Sequence, residues 1–318
     1  MLHRLSWWTT LAIGVQMVLG GIIVGKDAGF ACPNWPLCGK SGMPPINGSL
    51  ILELSHRASA MIVLVLVLLV AIVVLVSHRS QRAMVTTVSL AVVSLILQVV
   101  VGGLIVLFTL PGVFTTIDVI NSMIMLALFV HLSNIATREY QGRIGQRVAG
   151  QDERLRSLVT PAWILFSAGL LAVLVGALFR HTGASEALFG QNAYLLSHNQ
   201  TTPPSQSVSM TLLSLHMVTG VIAAVAVLWF AWMAKRAGRL WRAAVTGIVL
   251  LVAQVMLGIF TLATQLQFTV ATIHWSVAGA IVAMFAWILS EAHIAPIMKA
   301  SHEANSAELV PEAGGAVH

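Results

Sequence analysis

The chain has 318 residues, 58% of them hydrophobic and 9% charged, with a formal net charge of +6. Roughly a quarter of an average soluble chain is charged, so this composition and a mean hydropathy of +0.89 exclude a water-soluble globular enzyme. The 17 basic residues sit in short stretches between apolar runs and form no stripe on a polar face; that excludes a nucleic-acid partner and leaves membrane lipid as the medium.

In chain order, eight apolar runs are long enough to cross a bilayer, which takes roughly 20 helical residues. They cover 7–25, 50–77, 84–109, 113–137, 160–179, 209–234, 243–266 and 268–292. Backbone polar groups inside lipid have to be satisfied within the segment, so these runs are helices. The first begins at Trp7 and is itself long enough to span, so it reads as a retained helix and not a cleaved leader. The expected fold is all-α and integral to the membrane.

Orientation follows from the basic residues. Arg4, Arg79, Arg82, Arg138, Arg143, Arg147, Arg154, Arg156, Lys235, Arg236, Arg239, Arg242 and Lys299 fall on one side; Lys26, Lys40 and Arg180 fall on the other. The rich side faces the cytoplasm, which predicts a multi-pass protein of the cell membrane with both termini cytoplasmic. Residues 1–137 form an N-terminal four-helix half, 138–159 a basic cytoplasmic linker, 160–292 a C-terminal four-helix half, and 293–318 a small, polar tail expected to be mobile.

The halves are related. Gln98-Val99-Val100-Val101-Gly102 matches Gln254-Val255-Met256-Leu257-Gly258, and running forward Thr116-Ile117-Asp118 falls on Thr272-Ile273-His274. Running backward, Leu54-Ser55-His56 resembles Ser214-Leu215-His216, with a small gap at the join. An even number of helices per half gives both halves one orientation, so the pseudo-twofold axis runs along the membrane normal.

This repeat singles out His56, Asp118, His216 and His274, each near the outer end of its helix. Ionisable groups inside a membrane are costly and call for a partner or a task. His residues from facing helices of a bundle are a natural pair of axial ligands for haem iron. His216 and His274 are such a pair; the competing reading is that they only hydrogen-bond between helices. The first half has His56 but Asp118 where its mate would stand. His131 lies 13 residues further on, roughly 20 Å deeper, and reads as a polar interfacial residue. Asp118 either binds iron weakly, holds a water, or ends a helix, where it would suit an N-terminal cap. Glu53 is three residues before His56 and shares its helical face, whereas its counterpart is Leu213. It is either a reactive carboxylate beside the first-half site or a favourable charge at a helix start. Arg57 either pairs with a haem propionate or snorkels to the interface. His181 and His198, in the second outer loop, have no counterparts, and no role is assigned to them or to His3, His78, His293, His302 and His318.

The first outer loop reads Cys32-Pro33-Asn34-Trp35-Pro36-Leu37-Cys38, with the only two cysteines of the chain. Facing an oxidising compartment, they are expected to form a disulfide, structural or redox-active.

These features together resemble the haem A synthase family over most of residues 7–292: the Cys32–Cys38 loop after Gly20-Gly21, then Glu53-Leu54-Ser55-His56-Arg57, then His216 and His274. The resemblance implies an oxidoreductase in which haem O enters the first half and its ring methyl is oxidised through an alcohol to the formyl of haem A. Haem b in the second half, held by His216 and His274, would relay electrons, and Glu53 would be essential beside the substrate haem. The implied partners are haem O, the farnesyltransferase that makes it, and an electron donor that the sequence does not name. The family has a second His where Asp118 stands. Either the substrate haem is five-coordinate or ligated by Asp or water here, or the member has diverged in activity. Two other readings remain open at this stage: a b-type cytochrome or haem-transfer protein without catalysis, and a transporter built from repeats. Against the transporter, the ionisable positions cluster near one surface and no matched pair of helices is interrupted by Gly or Pro at mid-membrane.

Overall fold

The computed structural model describes residues 1–38, 45–143 and 153–308. Lys40 and Arg147 of the orientation count, most of the linker and the end of the tail, including His318, lie outside the described residues. All regular structure in the described residues is helical, and eight of the helices are long and apolar enough to cross a membrane.

The spanning helices are α1 (Leu2–Gly25), α2 (Gly48–Ser77), α3 (Arg82–Phe108) and α4 (Gly112–Arg143), then α6 (Val159–His181), α9 (Gln206–Ala237), α10 (Trp241–Ala263) and α11 (Phe268–Glu308). The short helix α5 (Glu153–Arg156) precedes α6; α7 (Ala184–Ala187) and α8 (Ala193–Ser197) lie in the second outer loop. Local chemistry sets several ends. The Asn47 side chain accepts from Leu50 N–H at the start of α2, and Ser205 does the same for Val208 at the start of α9, which are N-caps. Gly238 ends α9 in the left-handed conformation that glycine adopts without strain.

One position and one boundary differ from the sequence reading. Pro111, its φ already suited to a helix, opens α4 at Gly112, so Asp118 lies in the second turn and is not a cap. The backbone of α11 continues past His293 to Glu308, where a mobile tail was expected.

Each half is a closed ring of four helices. In the first, α1 packs on α2, α2 on α3, α3 on α4 and α4 on α1; in the second, α6, α9, α10 and α11 do the same in that order. The rings join through α4 against α6 and α11, and α1 against α11. His56 and Asp118 therefore stand on diagonal helices of one ring, and His216 and His274 on diagonal helices of the other.

The gap in the repeat has a location. Between α1 and α6, α3 and α10, and α4 and α11, matched residues are 156 positions apart, but between α2 and α9 they are 160 apart. The outer loop before α9 carries the extra residues. They are given back at the turn between α9 and α10, where α10 starts about one turn later than α3 relative to its Gln.

The seams between halves exchange large and small residues. Trp275 of α11 lies on Gly21 of α1, its indole N–H donating to the Met17 carbonyl at 2.9 Å; the matched positions are Val119 and Ala177. Phe268 lies on Gly25, whereas at the matched seam the His181 backbone lies on Gly112. Further in, His131 Nδ1 meets Ser290 Oγ at 2.8 Å, Asn134 donates to the same hydroxyl, and Arg138 pairs with Glu291. His131 thus has an interhelical partner far from His56.

Both hydrophobic cores occupy the ends of the rings that carry the α2–α3 and α9–α10 turns. The first includes Val63, Val67, Leu95 and Phe129; the second includes Ala223, Phe230, Ala244 and Phe285. None of the four repeat-selected side chains belongs to either core. They stand roughly 9–15 Å along their helices from the outer ends, at about 1.5 Å per residue.

Candidate functional site

Each of the four side chains rests on a glycine of the neighbouring helix. A Cβ on Gly20 would meet His56 Nε2 at 3.5 Å, and one on Gly176 would meet His216 Cε1 at 2.6 Å. On Gly102 it would meet Asp118 Oδ1 at 3.9 Å, and on Gly258 His274 Cε1 at 3.2 Å. The four glycines are as symmetric as the four side chains: Gly20 matches Gly176 and Gly102 matches Gly258. At Gly176 and Gly258 a Cβ would crowd the imidazole beside it, whereas at Gly20 and Gly102 it would make ordinary contact.

In the second half, His216 Nδ1 lies 3.1 Å from the Ala172 carbonyl oxygen, which fixes its N–H there. That is the usual second contact of an imidazole whose other nitrogen serves as a ligand. His274 Nε2 lies 3.4 Å from Gln254 Nε2, and its Nδ1 is buried without a partner. The two imidazoles are near enough to interact electrostatically. In the first half, Gln98 faces the Asp118 carboxylate as Gln254 faces His274, and Asp118 Oδ1 is buried without a partner.

Glu53 is buried, 4% exposed, and accepts from Arg57 Nε at 2.8 Å. The rest of the guanidinium reaches the outer loop: Nη1 donates to the carbonyls of Asn34 at 2.6 Å and Pro36 at 3.2 Å, and Nη2 to that of Cys32 at 2.8 Å. Four of its five N–H groups are thereby committed. Cys32 and Cys38 form a disulfide with Cα atoms 5.3 Å apart, and Trp35 between them packs against Gly103 of α3. Glu53, one turn from His56, is thus tied through Arg57 to the disulfide loop.

The second outer loop covers a polar cluster. Arg180 pairs with Glu186 at 2.7 Å, and the other Glu186 oxygen accepts from Tyr194 N–H at 3.0 Å. The Tyr194 ring stacks near His181 and His198, and Phe30 meets His198 edge-on. Burial pushes the Tyr194 hydroxyl up to about 12 and lowers His198. Burial first, then Glu186, raises Asp27, with Arg180 opposing. His181 and His198 therefore have partners in a packed cluster, which their isolation in the repeat did not reveal.

Sequence reasoning also missed the four glycine shelves and the amide chain behind Asp118. Gly102 and Gly258 were visible as part of the repeat, but that a ring rests on each is a fact of helix packing. Asn121, three residues after Asp118, is the signal for the amide chain: a second polar side chain on the same membrane helix face.

Residues 1–129 and 47–286 both match the family described as cytochrome oxidase assembly protein. Two overlapping matches are what a chain with two related halves produces. Among curated relatives, the chain is 26% identical over 325 residues to a heme A synthase of Geobacillus kaustophilus, covering 96% of this chain and 98% of the relative. It is 27% identical over 245 residues to a heme A synthase of Shouchella clausii, covering 74% of this chain and 76% of that one. A heme A synthase of Bacillus pumilus is 26% identical over 196 residues, 58% of this chain and 61% of the relative. With the two-ring fold and a family match that reaches from the first helix into the eighth, the chain belongs to the cytochrome oxidase assembly protein family.

Proposed function

We propose that this protein converts haem O to haem A, oxidising a ring methyl to a formyl group, in a multi-pass fold of the cell membrane with both termini cytoplasmic. The observation that carries the reading is a pair of glycine-backed sites at one end of the bundle, in a chain whose relatives are heme A synthases. The first half takes haem O as substrate, and the second holds haem b between His216 and His274. The second-half donor set fits a haem: two imidazoles from diagonal helices, each on a glycine, with a buried His274 nitrogen lacking any protein partner. Haem b, when bound, supplies one-electron redox capacity within the membrane.

This chain's own residues divide the remaining work. His56 is the axial donor to the substrate. Glu53, buried and close to His56 in sequence, holds or moves a proton beside it, a task suited to a carboxylate screened from bulk water. Arg57 keeps Glu53 oriented and the Cys32–Cys38 loop closed over the site, with one N–H left for a propionate. Asp118 faces the substrate from the diagonal helix. Haem O reaches the site from lipid or from the farnesyltransferase that makes it, and a separate donor supplies electrons.

The test is co-expression with a haem O source in cells lacking haem A synthase, followed by extraction and identification of the haems. A formyl-bearing haem is expected. Haem b and haem O alone would replace this reading with that of a non-catalytic b-type cytochrome.

A further inference from the structure

Asn121 lies buried on α4, and its amide orientation is fixed by an atom that only accepts. Its Nδ2 donates to the Ser94 backbone carbonyl at 2.8 Å and to Gln98 Oε1 at 2.7 Å, while its Oδ1 accepts from the Ser94 hydroxyl at 2.9 Å. A carbonyl oxygen has no proton, so the nitrogen of Asn121 has to be the atom beside it. The order then propagates. Asn121 presents N–H to Gln98, so Gln98 turns its oxygen to Asn121 and its NH2 group toward Asp118. Residue 118 faces a donor and has to accept.

The second half lacks this constraint. The positions matched to Ser94 and Asn121 are Leu250 and Val277, which carry no polar group, and Gln254 Oε1 is buried without a partner. Gln254 is free to turn its oxygen toward His274. The difference matters because an imidazole bound to iron through one nitrogen carries a hydrogen on the other. Gln254 can accept that hydrogen. Gln98 cannot, since its oxygen is held by Asn121, so an iron-bound imidazole at 118 would set donor against donor in a buried place, where an unmade hydrogen bond costs about 1–3 kcal/mol.

We propose that Ser94, Asn121 and Gln98 are a positioning relay that selects a hydrogen-bond-accepting carboxylate at residue 118, making the first-half site a one-imidazole site whose free acceptor, Asp118 Oδ1, receives an O–H group of the substrate or of a bound water. Asp118, which the repeat matches to His274, is then part of a four-residue arrangement across α3 and α4. Asp118 Oδ1, buried and unpartnered, is the atom left for the ligand. This rests on the reading of the first half as a haem site, and the experiment separates the two.

The full chain, purified with haem, is compared as wild type, Asp118→His, Asp118→His with Asn121→Val, and Asp118→His with Gln98→Leu. The readout is the spin state of the first-half iron by electron paramagnetic resonance and near-infrared magnetic circular dichroism, with the second-half signal as the check on folding. Asp118→His alone is expected to stay high-spin at the first site. Either double variant is expected to convert that site to the low-spin bis-imidazole form. Full low-spin conversion in the single variant, or high-spin iron in both doubles, overturns the relay. The reading beneath it fails differently, with only one haem per wild-type chain. In turnover, Asn121→Val is expected to lower kcat about tenfold at unchanged second-half spectrum, and Ser94→Thr, which keeps the hydroxyl, to retain the rate that Ser94→Ala loses. Equal rates in all of these variants would likewise refute it.

Discussion

Around the second-half imidazoles the matched positions are Leu213, Leu250 and Val277; around the first-half site they are Glu53, Ser94 and Asn121. The four glycines beneath the sites are duplicated, Gly20 with Gly176 and Gly102 with Gly258, yet every one of these three substitutions trades an apolar side chain for a polar one on the same side. A low-polarity site with two fixed donors suits a group that stays bound and changes only its charge. A site with an acid, an amide chain and a single imidazole suits a group that is altered and released. The asymmetry supports the proposed division of tasks between the halves, and each experiment below attacks it at a different point.

The largest effect is expected at the second-half donors. His216→Ala or His274→Ala should abolish the low-spin haem b signal in purified protein while leaving the first-half haem in place. If both haems survive either change with unaltered spectra, the halves are not divided as described. Next is Glu53→Gln, which keeps an acceptor for Arg57 and so keeps the loop, but removes the ionisable group. Conversion is expected to fall about a hundredfold with the haem b spectrum intact. Arg57→Ala is the structural complement: it leaves Glu53 buried without its partner, a loss of about 3 kcal/mol, read as a lower Tm and faster proteolysis of the Cys32–Cys38 loop.

The four glycines grade the comparison more finely. Gly176→Ala puts a methyl 2.6 Å from the His216 ring, Gly258→Ala one 3.2 Å from His274, Gly20→Ala one 3.5 Å from His56, and Gly102→Ala one 3.9 Å from Asp118. Overpacking costs about 1–3 kcal/mol where neighbours cannot give way, so the spectral disturbance should decline in that order, with Gly102→Ala close to silent. A disturbance from Gly102→Ala as large as that from Gly176→Ala would mean that the two halves do not seat their ligands alike.

The sequence carried the eight spans because lipid demands long apolar runs, and it carried the repeat because Gln98 to Asp118 and Gln254 to His274 keep identical spacing. It singled out His56, His216, His274 and Glu53 because polar groups are rare in such runs. The disulfide of Cys32 with Cys38 followed from there being no other cysteines. The fourfold commitment of Arg57 was not legible, since its partners are backbone carbonyls that any residue supplies. The amide order behind Asp118 was not legible either: it depends on which helix faces Ser94 and on one backbone oxygen that no side-chain pattern reports. The start of α4 was legible to within one residue, 113 against Gly112, and that start is what rules out Asp118 as a cap.

The smallest effect concerns the ends of two matched helices. Asp27 after α1 corresponds to Gly183 after α6, and both adopt left-handed φ, 48° and 75°. Glycine takes that conformation freely; the aspartate places a partly buried carboxyl near Glu186 and Arg180. Burial, and secondarily Glu186, raise Asp27 above its ordinary 3.8. The folded state therefore binds this proton more tightly than the unfolded chain. Its contribution favours folding below 3.8 and is lost as pH climbs through the interval up to the raised value, so at neutral pH the ionised group works against the fold. Asp27→Asn tolerates the left-handed backbone and removes the charge, and Asp27→Gly copies the other half outright. Both should raise Tm at pH 7 and lose that advantage at pH 3, measured by thermal unfolding in detergent. An equal gain at both pH values would trace the effect to backbone strain alone; a loss at pH 7 would mean that Arg180 holds Asp27 more firmly than Glu186 and burial repel it.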